Sequence, residues 1–334
     1  MTTAKTVPVT RDMSGDELDA EDAWHSIRRH GLRRLTVDAF VRFRFGDGFT
    51  NARALAMQMA LSVVPFMIGL TGLSADLDVD RAARVLARTV SQISPGGRQG
   101  DVLSHAVSPG SSSERAGELA LWFGIVFGLV SMTIALGQIE RGTNRIYGIS
   151  RDRPGLEKYT RAALLTAVLV VPVALAFLLL VAGGAFGDAM AAEYGWQGTP
   201  ETVWDVIRWP VGLAVTTLAI AVVFDHAPRR HQPSLSWLAL GAGVAVVLSV
   251  AASALLALYV NLSDSFGDVY GPLAGIIALL VWCYLTALAL FFGTAMAAQL
   301  EALRGGVTEA VVDDPGPTTE TRRGHAARYG HTHD

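Results

Sequence analysis

The chain has 334 residues, of which 51% are hydrophobic and 17% are charged, whereas a soluble globular chain usually carries about 25% charged residues. Its net charge of −3 excludes a broadly basic surface for nucleic acid. The single cysteine, Cys283, excludes an intramolecular disulfide, a redox pair and a cysteine-ligated metal cluster.

The first part of the chain is polar and rich in arginine. Residues 1–20 are predicted to be disordered, and residues 21–52 to form an amphipathic segment at the cytoplasmic membrane surface. The predicted apolar face of this segment consists of Trp24, Ile27, Leu32 and Leu35. Three phenylalanines alternate with Arg42 and Arg44, a pattern typical of the headgroup region of an anionic leaflet. No signal peptide is recognisable, so we expect the first span to direct insertion.

Six stretches are long and apolar enough to cross a bilayer, since a spanning helix needs about 20 mostly apolar residues. They are residues 54–73, 119–137, 162–184, 207–224, 235–260 and 273–298. Apart from Arg208 at the start of the fourth stretch, none contains Asp, Glu, Lys or Arg. The sequence therefore predicts an all-α polytopic membrane protein with a six-transmembrane-helix bundle over residues 53–304.

Arginines outside the spans predict the orientation, because arginine and lysine resist translocation. They precede the first span, follow the second, and lie between the fourth and fifth spans and after the sixth. The loop after the fifth span has neither Arg nor Lys. With six spans all the arginine-dense short loops fall on one side, which predicts that both termini are cytoplasmic.

Two further segments lie outside the spans. The long first external loop, residues 74–118, contains a second amphipathic helix candidate at Asp80–Ile93. The tail at residues 305–334 is rich in Gly, Pro, Thr and charge, and it is predicted to be disordered in the cytoplasm.

Few polar residues in the spans are candidates for function, because the span interiors contain no ionisable acid or base. Gln58 and Tyr284 are the more polar candidates, although interhelical hydrogen bonding is the plainer explanation for Gln58. Pro65 and Pro172 are predicted to kink their helices, either to open a cavity or simply to shape the bundle.

Ionisable and amide side chains gather instead at the cytoplasmic ends of the spans. They form either ordinary helix-end charge pairs or a gate or headgroup-binding rim: Glu140, Arg141, Asn144, Arg145, Asp225 and Glu301.

Three motifs in chain order are similar to the YihY/BrkB family of bacterial inner-membrane proteins. The first span, with Ser62 and Pro65, resembles the S-x-x-P span of that family. The segment GTNRIYGI at Gly142–Ile149, which includes Tyr147, resembles its Asn-Arg-Ile-Tyr segment. The stretch Tyr270–Glu301 resembles its Tyr-Gly-x-Leu turn and the helix that follows.

The resemblance implies a six-helix protein of the bacterial plasma (inner) membrane that is connected with envelope integrity. One hypothesis is a transporter or lipid translocator of unknown substrate, with a cavity lined by Gln58, Tyr284 and the cytoplasmic cluster. The alternative is a non-catalytic envelope-integrity scaffold that acts through the 74–118 external loop.

Some members of that family carry a ribonuclease BN label. The sequence has no carboxylate or histidine cluster that could hold the metal ions of a nuclease, so we expect no enzyme activity, no cofactor and no metal. The expected partners are the lipid bilayer and anionic lipid headgroups at the cytoplasmic face. A homo-oligomer is an option, and no nucleic acid is expected.

Overall fold

A computed structural model of the chain describes residues 5–10, 20–75, 85, 111–196, 198–262, 274–307 and 309–313. In chain order its elements are β1 (Lys5–Thr6), α1 (Ala20–His30), α2 (Leu32–Phe45), α3 (Gly48–Ala75), α4 (Ser111–Ile146), α5 (Gly155–Leu180), α6 (Gly183–Tyr194), α7 (Thr199–His226), α8 (Leu235–Leu262), α9 (Ala274–Arg304) and β2 (Val312–Asp313). Apart from Val85, the amphipathic helix predicted at Asp80–Ile93 lies outside the described residues.

Six of the helices, α3, α4, α5, α7, α8 and α9, are long and apolar enough to cross a membrane. The predicted all-α bundle with six spans is therefore confirmed. Several helices continue beyond the predicted spans: α4 runs on to Ile146 and α9 to Arg304. Hydropathy marks only the part of a helix that matches the hydrocarbon core, whereas the backbone hydrogen bonds continue through the polar residues beyond it.

The six spans follow one another around a closed ring. Each packs against the next span in chain order, and α9 returns to pack against α3. α9 also contacts α2 and α4, and nearly every residue from Phe291 to Leu303 is buried. α9 therefore links the N-terminal helices to the ring of spans.

Glycines bring two pairs of spans into backbone contact. At the crossing of α3 and α4, a Cβ on Gly124 would lie 2.1 Å from the Gly69 Cα. At the crossing of α8 and α9, a Cβ on Gly293 would lie 2.5 Å from the Gly241 carbonyl oxygen. Since apolar side chains gain little by leaving lipid, such close backbone packing is a principal source of attraction between membrane helices.

The third predicted span, residues 162–184, is shorter than expected. α5 ends at Leu180, and α6 begins at Gly183. The amide groups of Val181 and Ala182 both donate to the Phe177 carbonyl, so the regular ladder stops there. The Arg208 side chain then occupies the space beside Gly183, where a Cβ would lie 2.8 Å from its Nη1.

The charged end of the bundle is the end that carries α1, α2, the α4–α5 loop and the α7–α8 loop. Most of the buried apolar core belongs to this half. At the opposite end the Trp204 indole donates to the Gly183 carbonyl at 2.7 Å, and its ring lies 5.1 Å from Phe186 and 6.1 Å from Trp196. Such a group of aromatic rings is typical of a membrane–water interface.

The N-terminal helices pack on the bundle through few residues of their predicted apolar face. Leu35 is buried, whereas Trp24 and Leu32 are 50% and 60% exposed. α1 instead packs against α8 and α9, with Ala23 and Ser26 on its buried side. Small residues allow the closer approach of helices, so the contact depends on side chains that carry little hydrophobic signal.

Parts of the two segments predicted to be disordered are ordered. Lys5 pairs with Asp313 and Thr6 with Val312 in a short antiparallel ladder between β1 and β2. Val7 and Thr10, within the predicted disordered residues 1–20, are buried. Two-residue strands have no periodicity of their own, so a pairing between residues 5–6 and 312–313 leaves no pattern in the sequence.

Candidate functional site at the charged end

The GTNRIYGI segment ends α4 with a tight turn. The Ile149 amide donates to the Asn144 carbonyl at 2.8 Å and the Gly148 amide to the Arg145 carbonyl at 3.1 Å, while Gly148 adopts a φ of 80°. This is the Schellman arrangement, which strongly favours glycine. A Cβ on Gly148 would also lie 2.7 Å from the Pro8 carbonyl oxygen, so the glycine lets the N-terminal segment cross over the turn.

A buried ion pair joins α4 to the loop that follows it. The Arg153 Nη1 lies 3.2 Å from the Glu140 Oε2, and both side chains are nearly inaccessible to solvent. The same guanidinium donates to the carbonyls of Ala227 and Pro228 at 3.0 and 2.9 Å. Glu140 and Arg153 therefore fix the end of α4 against the end of α7.

Asn144 forms a second link between the same loops. Its Nδ2 donates to the Asp152 Oδ1 at 2.9 Å, and its Oδ1 accepts from the Arg229 amide at 2.8 Å. The side chain is fully buried. A carboxamide is suited to this position because it can donate and accept at the same time.

Replacing Asn144 with alanine is expected to lower the free energy of unfolding by about 1–3 kcal/mol, because it leaves buried hydrogen-bonding groups without partners. Thermal unfolding of the purified protein in detergent measures the change. Arg141→Ala, at an exposed position about one turn earlier on α4, is the control and should leave the midpoint nearly unchanged. Equal shifts for the two variants would contradict the role given to Asn144.

Arg42 of α2 is also fully buried. Its Nε donates to the Gln299 Oε1 at 2.9 Å, and its Nη1 donates to the Thr10 Oγ1 at 3.0 Å and to the Ile146 carbonyl at 3.2 Å. One guanidinium thus joins the N-terminal segment, α2, the end of α4 and α9. Burial lowers the pKa of Arg42 to about 10, so the group stays charged at neutral pH.

Next to Arg42 lies a second buried ion pair, between Arg230 and Glu301. The Arg230 guanidinium lies over the ring of Tyr147, with its Cζ 4.8 Å from the ring centroid. Burial, followed by the negative charge of Glu301, raises the pKa of the Tyr147 hydroxyl well above its usual range. Tyr147 is therefore a neutral hydroxyl group at physiological pH.

A groove opens beside these networks, between α4, α5 and α7. It has a volume of about 440 Å³. Its walls are aliphatic, and Leu164 and Val168 are 65% and 64% exposed. Glu140, Arg161 and His226 lie at its charged end. The groove thus combines an apolar wall with a polar rim.

The structure brings some of the predicted site residues together and leaves others apart. Glu140, Asn144, Tyr147 and Glu301 are buried in the linked networks at the charged end. Arg141 is exposed and Arg145 is half-buried. Asp225 lies beside His226, with its Oδ2 3.1 Å from the His226 Nδ1.

The intramembrane candidates lie away from the groove. Gln58 and Tyr284 are half-buried in α3 and α9, and neither lines the groove. Pro65 and Pro172 lie inside continuous helices, and a third intrahelical proline, Pro210 of α7, went unnoticed in the sequence.

Four residues with buried side chains are not among the predicted site residues: Arg42, Arg153, Arg230 and Gln299. The three arginines served only as indicators of orientation, and Arg42 was expected to face lipid headgroups. The adjacent Phe43, which is also buried, is the sequence feature that could have indicated the burial of Arg42, because an arginine next to core aromatic residues is often enclosed with them. Gln299 immediately follows an apolar run, and its burial has no sequence signal.

The fold and this site define a polytopic membrane protein whose buried charges are gathered at one end of a six-span bundle. The profile of the family described as "Virulence factor BrkB" matches residues 39–312. The chain belongs to this family, as its motifs indicated.

Among its relatives is the "Putative ribonuclease-like protein YfkH" of Bacillus subtilis, which is 27% identical over 256 residues, covering 77% of this chain and 91% of that protein. A "UPF0761 membrane protein" of Chromohalobacter salexigens is 28% identical over 280 residues, covering 83% of this chain and 64% of that protein. One from Stenotrophomonas maltophilia is 27% identical over 298 residues, covering 86% and 66%. The chain thus spans a little under two thirds of the two UPF0761 proteins. No solved structure matches the chain.

Proposed function

We propose that the protein is a lipid translocator of the bacterial plasma membrane, and that it moves phospholipids with anionic headgroups along the groove between α4, α5 and α7. The observation that carries this proposal is the form of the groove, which has an open aliphatic wall and a charged rim. The charged end faces the cytoplasm in this proposal, as the distribution of arginine predicts.

The dimensions of the groove suit one part of a lipid. Its volume of about 440 Å³ falls within the usual range of ligand pockets. Along α5 it extends from Arg161 to Val168, seven residues of helix or roughly 10 Å. This depth is less than half the thickness of the hydrocarbon core, so the groove extends through part of one leaflet only.

The charges at the rim favour an anionic headgroup. Glu140 is neutralised by Arg153, which lies 3.2 Å away. Arg161 is exposed, and its Nε is 3.3 Å from an exposed Glu157 carboxylate, a pairing that solvent weakens. A phosphodiester therefore meets the accessible guanidinium of Arg161 at the position where its acyl chains meet an apolar wall.

The buried charges support movement that is not coupled to an ion gradient. Within the described residues, the acids and bases whose side chains are almost completely enclosed are Arg42, Glu140, Arg153, Arg230 and Glu301, all of them at the charged end. Ion-coupled carriers typically place such a group near the middle of the membrane. Lipid translocation involves no chemical reaction, and the description "ribonuclease-like" is that of the Bacillus relative.

Reconstitution into liposomes tests the groove. With fluorescently labelled phosphatidylglycerol, we expect wild-type protein to expose inner-leaflet label to a membrane-impermeant quencher, and Val168→Trp to slow this at least tenfold by filling the groove. Val171→Trp is the matched control, because Val171 is equally exposed on α5 but does not line the groove. The control should retain the wild-type rate.

Two outcomes would count against the proposal. Wild-type liposomes no faster than protein-free ones would exclude translocation and favour the scaffold hypothesis. Equal rates for Val168→Trp and wild type would exclude the groove as the path. Arg161→Ala should reduce the preference for phosphatidylglycerol over phosphatidylcholine, and exposed Arg151→Ala should not.

A further inference from the structure

A second groove lies between α2, α3, α8 and α9. Its volume is about 270 Å³, and every residue that lines it is apolar. Helices α8 and α9 contribute leucines and alanines, and one end of the groove consists of four phenylalanines: Phe40, Phe43, Phe49 and Phe292. None of its lining residues belongs to the groove between α4, α5 and α7. We call this second groove the aromatic groove.

The turn between α2 and α3 fixes the phenylalanine end. The ring of Phe43 lies 4.8 Å from that of Phe49 and 6.3 Å from that of Phe292, both in edge-to-face contact. A Cβ on Gly48 would lie 2.4 Å from the Phe43 ring, so a glycine at the start of α3 makes room for it. Phe43 is 2% exposed, whereas Phe40 is 47% exposed. The aromatic groove therefore has a buried floor and an open side, and it is formed before any ligand binds.

From this turn the aromatic groove extends into the membrane-spanning part of the bundle. On α9 its lining runs from Phe292 to Leu285, seven residues or roughly 10 Å of helix. Three of its four helices, α3, α8 and α9, are spans, and Phe49 is the second residue of α3. A ligand of the aromatic groove therefore has an apolar part in the hydrocarbon core and one end at the edge of the spans.

Two exposed arginines lie at that edge. Arg44 follows Phe40 by four residues on α2. Arg53 follows Phe49 by four residues on α3, and this spacing places each arginine beside a phenylalanine of the groove. Neither arginine takes part in an ion pair within the described part of the chain. Asp47 is the sole acid from Phe40 to Arg53, so this end of the groove carries a net positive charge.

We propose that the aromatic groove binds one phospholipid with an anionic headgroup. Its acyl chain lies against the phenylalanines, and its phosphate lies near Arg44 and Arg53. An acyl chain fits this groove better than a partner helix does, because a packed helix needs apolar contact over several turns and the lining on α9 covers only about two. The bound lipid would join α2 to three spans. This site does not depend on lipid translocation along the other groove.

Native mass spectrometry of the full-length protein tests the site. The protein is titrated in detergent with phosphatidylglycerol or phosphatidylcholine, and the lipids retained on each molecule are counted. The titration is repeated in Val168→Trp, in which the other groove is filled, so the outcome is independent of the translocation proposal. We expect one phosphatidylglycerol to be retained in this background, with at least a tenfold preference over phosphatidylcholine.

Two pairs of variants locate the lipid. Ala252→Trp should abolish retention by filling the aromatic groove, whereas Ala254→Trp, at an exposed position on α8 outside the groove, should preserve it. Arg44→Gln with Arg53→Gln should weaken the binding of phosphatidylglycerol about tenfold and leave phosphatidylcholine nearly unchanged, because each arginine near an anionic lipid adds several-fold to affinity. Arg29→Gln with Arg151→Gln removes the same charge from exposed positions outside the groove and should have little effect.

Several results would overturn the proposal. Equal retention of the two lipids would show that the arginines do not select a headgroup. Undiminished retention in Ala252→Trp would place the bound lipid elsewhere. Dimers that dissociate in Ala252→Trp, with no lipid on the monomer, would mean that a second copy of the chain covers the groove. If Ala252→Trp fails to fold, the two double arginine variants still decide the question, since equal losses in both would exclude a specific role for Arg44 and Arg53.

Discussion

Replacing Arg230 with methionine is expected to cost about 3–5 kcal/mol of stability, because it removes one member of a buried ion pair. Both side chains of the pair are almost completely enclosed. Methionine preserves much of the apolar contact with the Tyr147 ring, so the loss reports mainly on charge. Unfolding by SDS titration in mixed micelles measures the change in free energy.

The ion pair between Arg304 and Asp22 provides the comparison. Its side chains are 42% and 35% exposed at a distance of 3.2 Å, so Arg304→Met should cost no more than about 1 kcal/mol. The double variant Arg230→Met with Glu301→Leu should be less destabilised than either single variant, since both members of the ion pair are replaced by apolar side chains. Similar losses of unfolding free energy for Arg230→Met and Arg304→Met would show that burial does not increase the contribution of the first pair to stability.

Gly124→Ala is the second substitution with a large expected effect. The new methyl group would lie 2.1 Å from the Gly69 Cα and 3.1 Å from the Pro65 carbonyl oxygen. Both obstacles are backbone atoms, so no side chain can rotate away, and α3 and α4 must separate. We expect a loss of about 1–3 kcal/mol, typical of overpacking, in the same SDS titration.

Gly128→Ala is the matched control for this contact. It lies one turn further along α4, and a Cβ there meets nothing within 4 Å. Alanine is the better helix former by about 1 kcal/mol in water, so this variant should be unchanged or slightly more stable. Equal destabilisation by the two substitutions would mean that glycine is needed along α4 for a reason other than the crossing with α3.

The number and order of the spans could be predicted because a membrane imposes one requirement on every spanning segment. About 20 apolar residues are needed, and each of the six stretches shows them directly in the chain. The GTNRIYGI motif could be recognised in the sequence, but the tertiary contacts of its residues could not be predicted. Gly142 is present because a Cβ would meet the Phe291 ring at 2.2 Å, a contact between residues far apart in the chain.

The candidate site was predictable only as a region. Charge at span ends placed Glu140, Asn144 and Glu301 at one end of the bundle. Whether an arginine there is exposed or enclosed depends on tertiary packing, which is why Arg42 and Arg44 look alike in sequence although only Arg42 is buried. The partner of Arg42 is Gln299, 257 residues later, and no local pattern connects them.

That separation sets an order of events during synthesis. The guanidinium of Arg42 is made before the first span, whereas its acceptor on α9 is made only after the last span has emerged. Until then the arginine must stay in contact with water or headgroups, because no earlier segment contains Gln299. The charged end of the bundle is therefore completed after membrane insertion, in a closing step that draws the earliest and latest parts of the chain together.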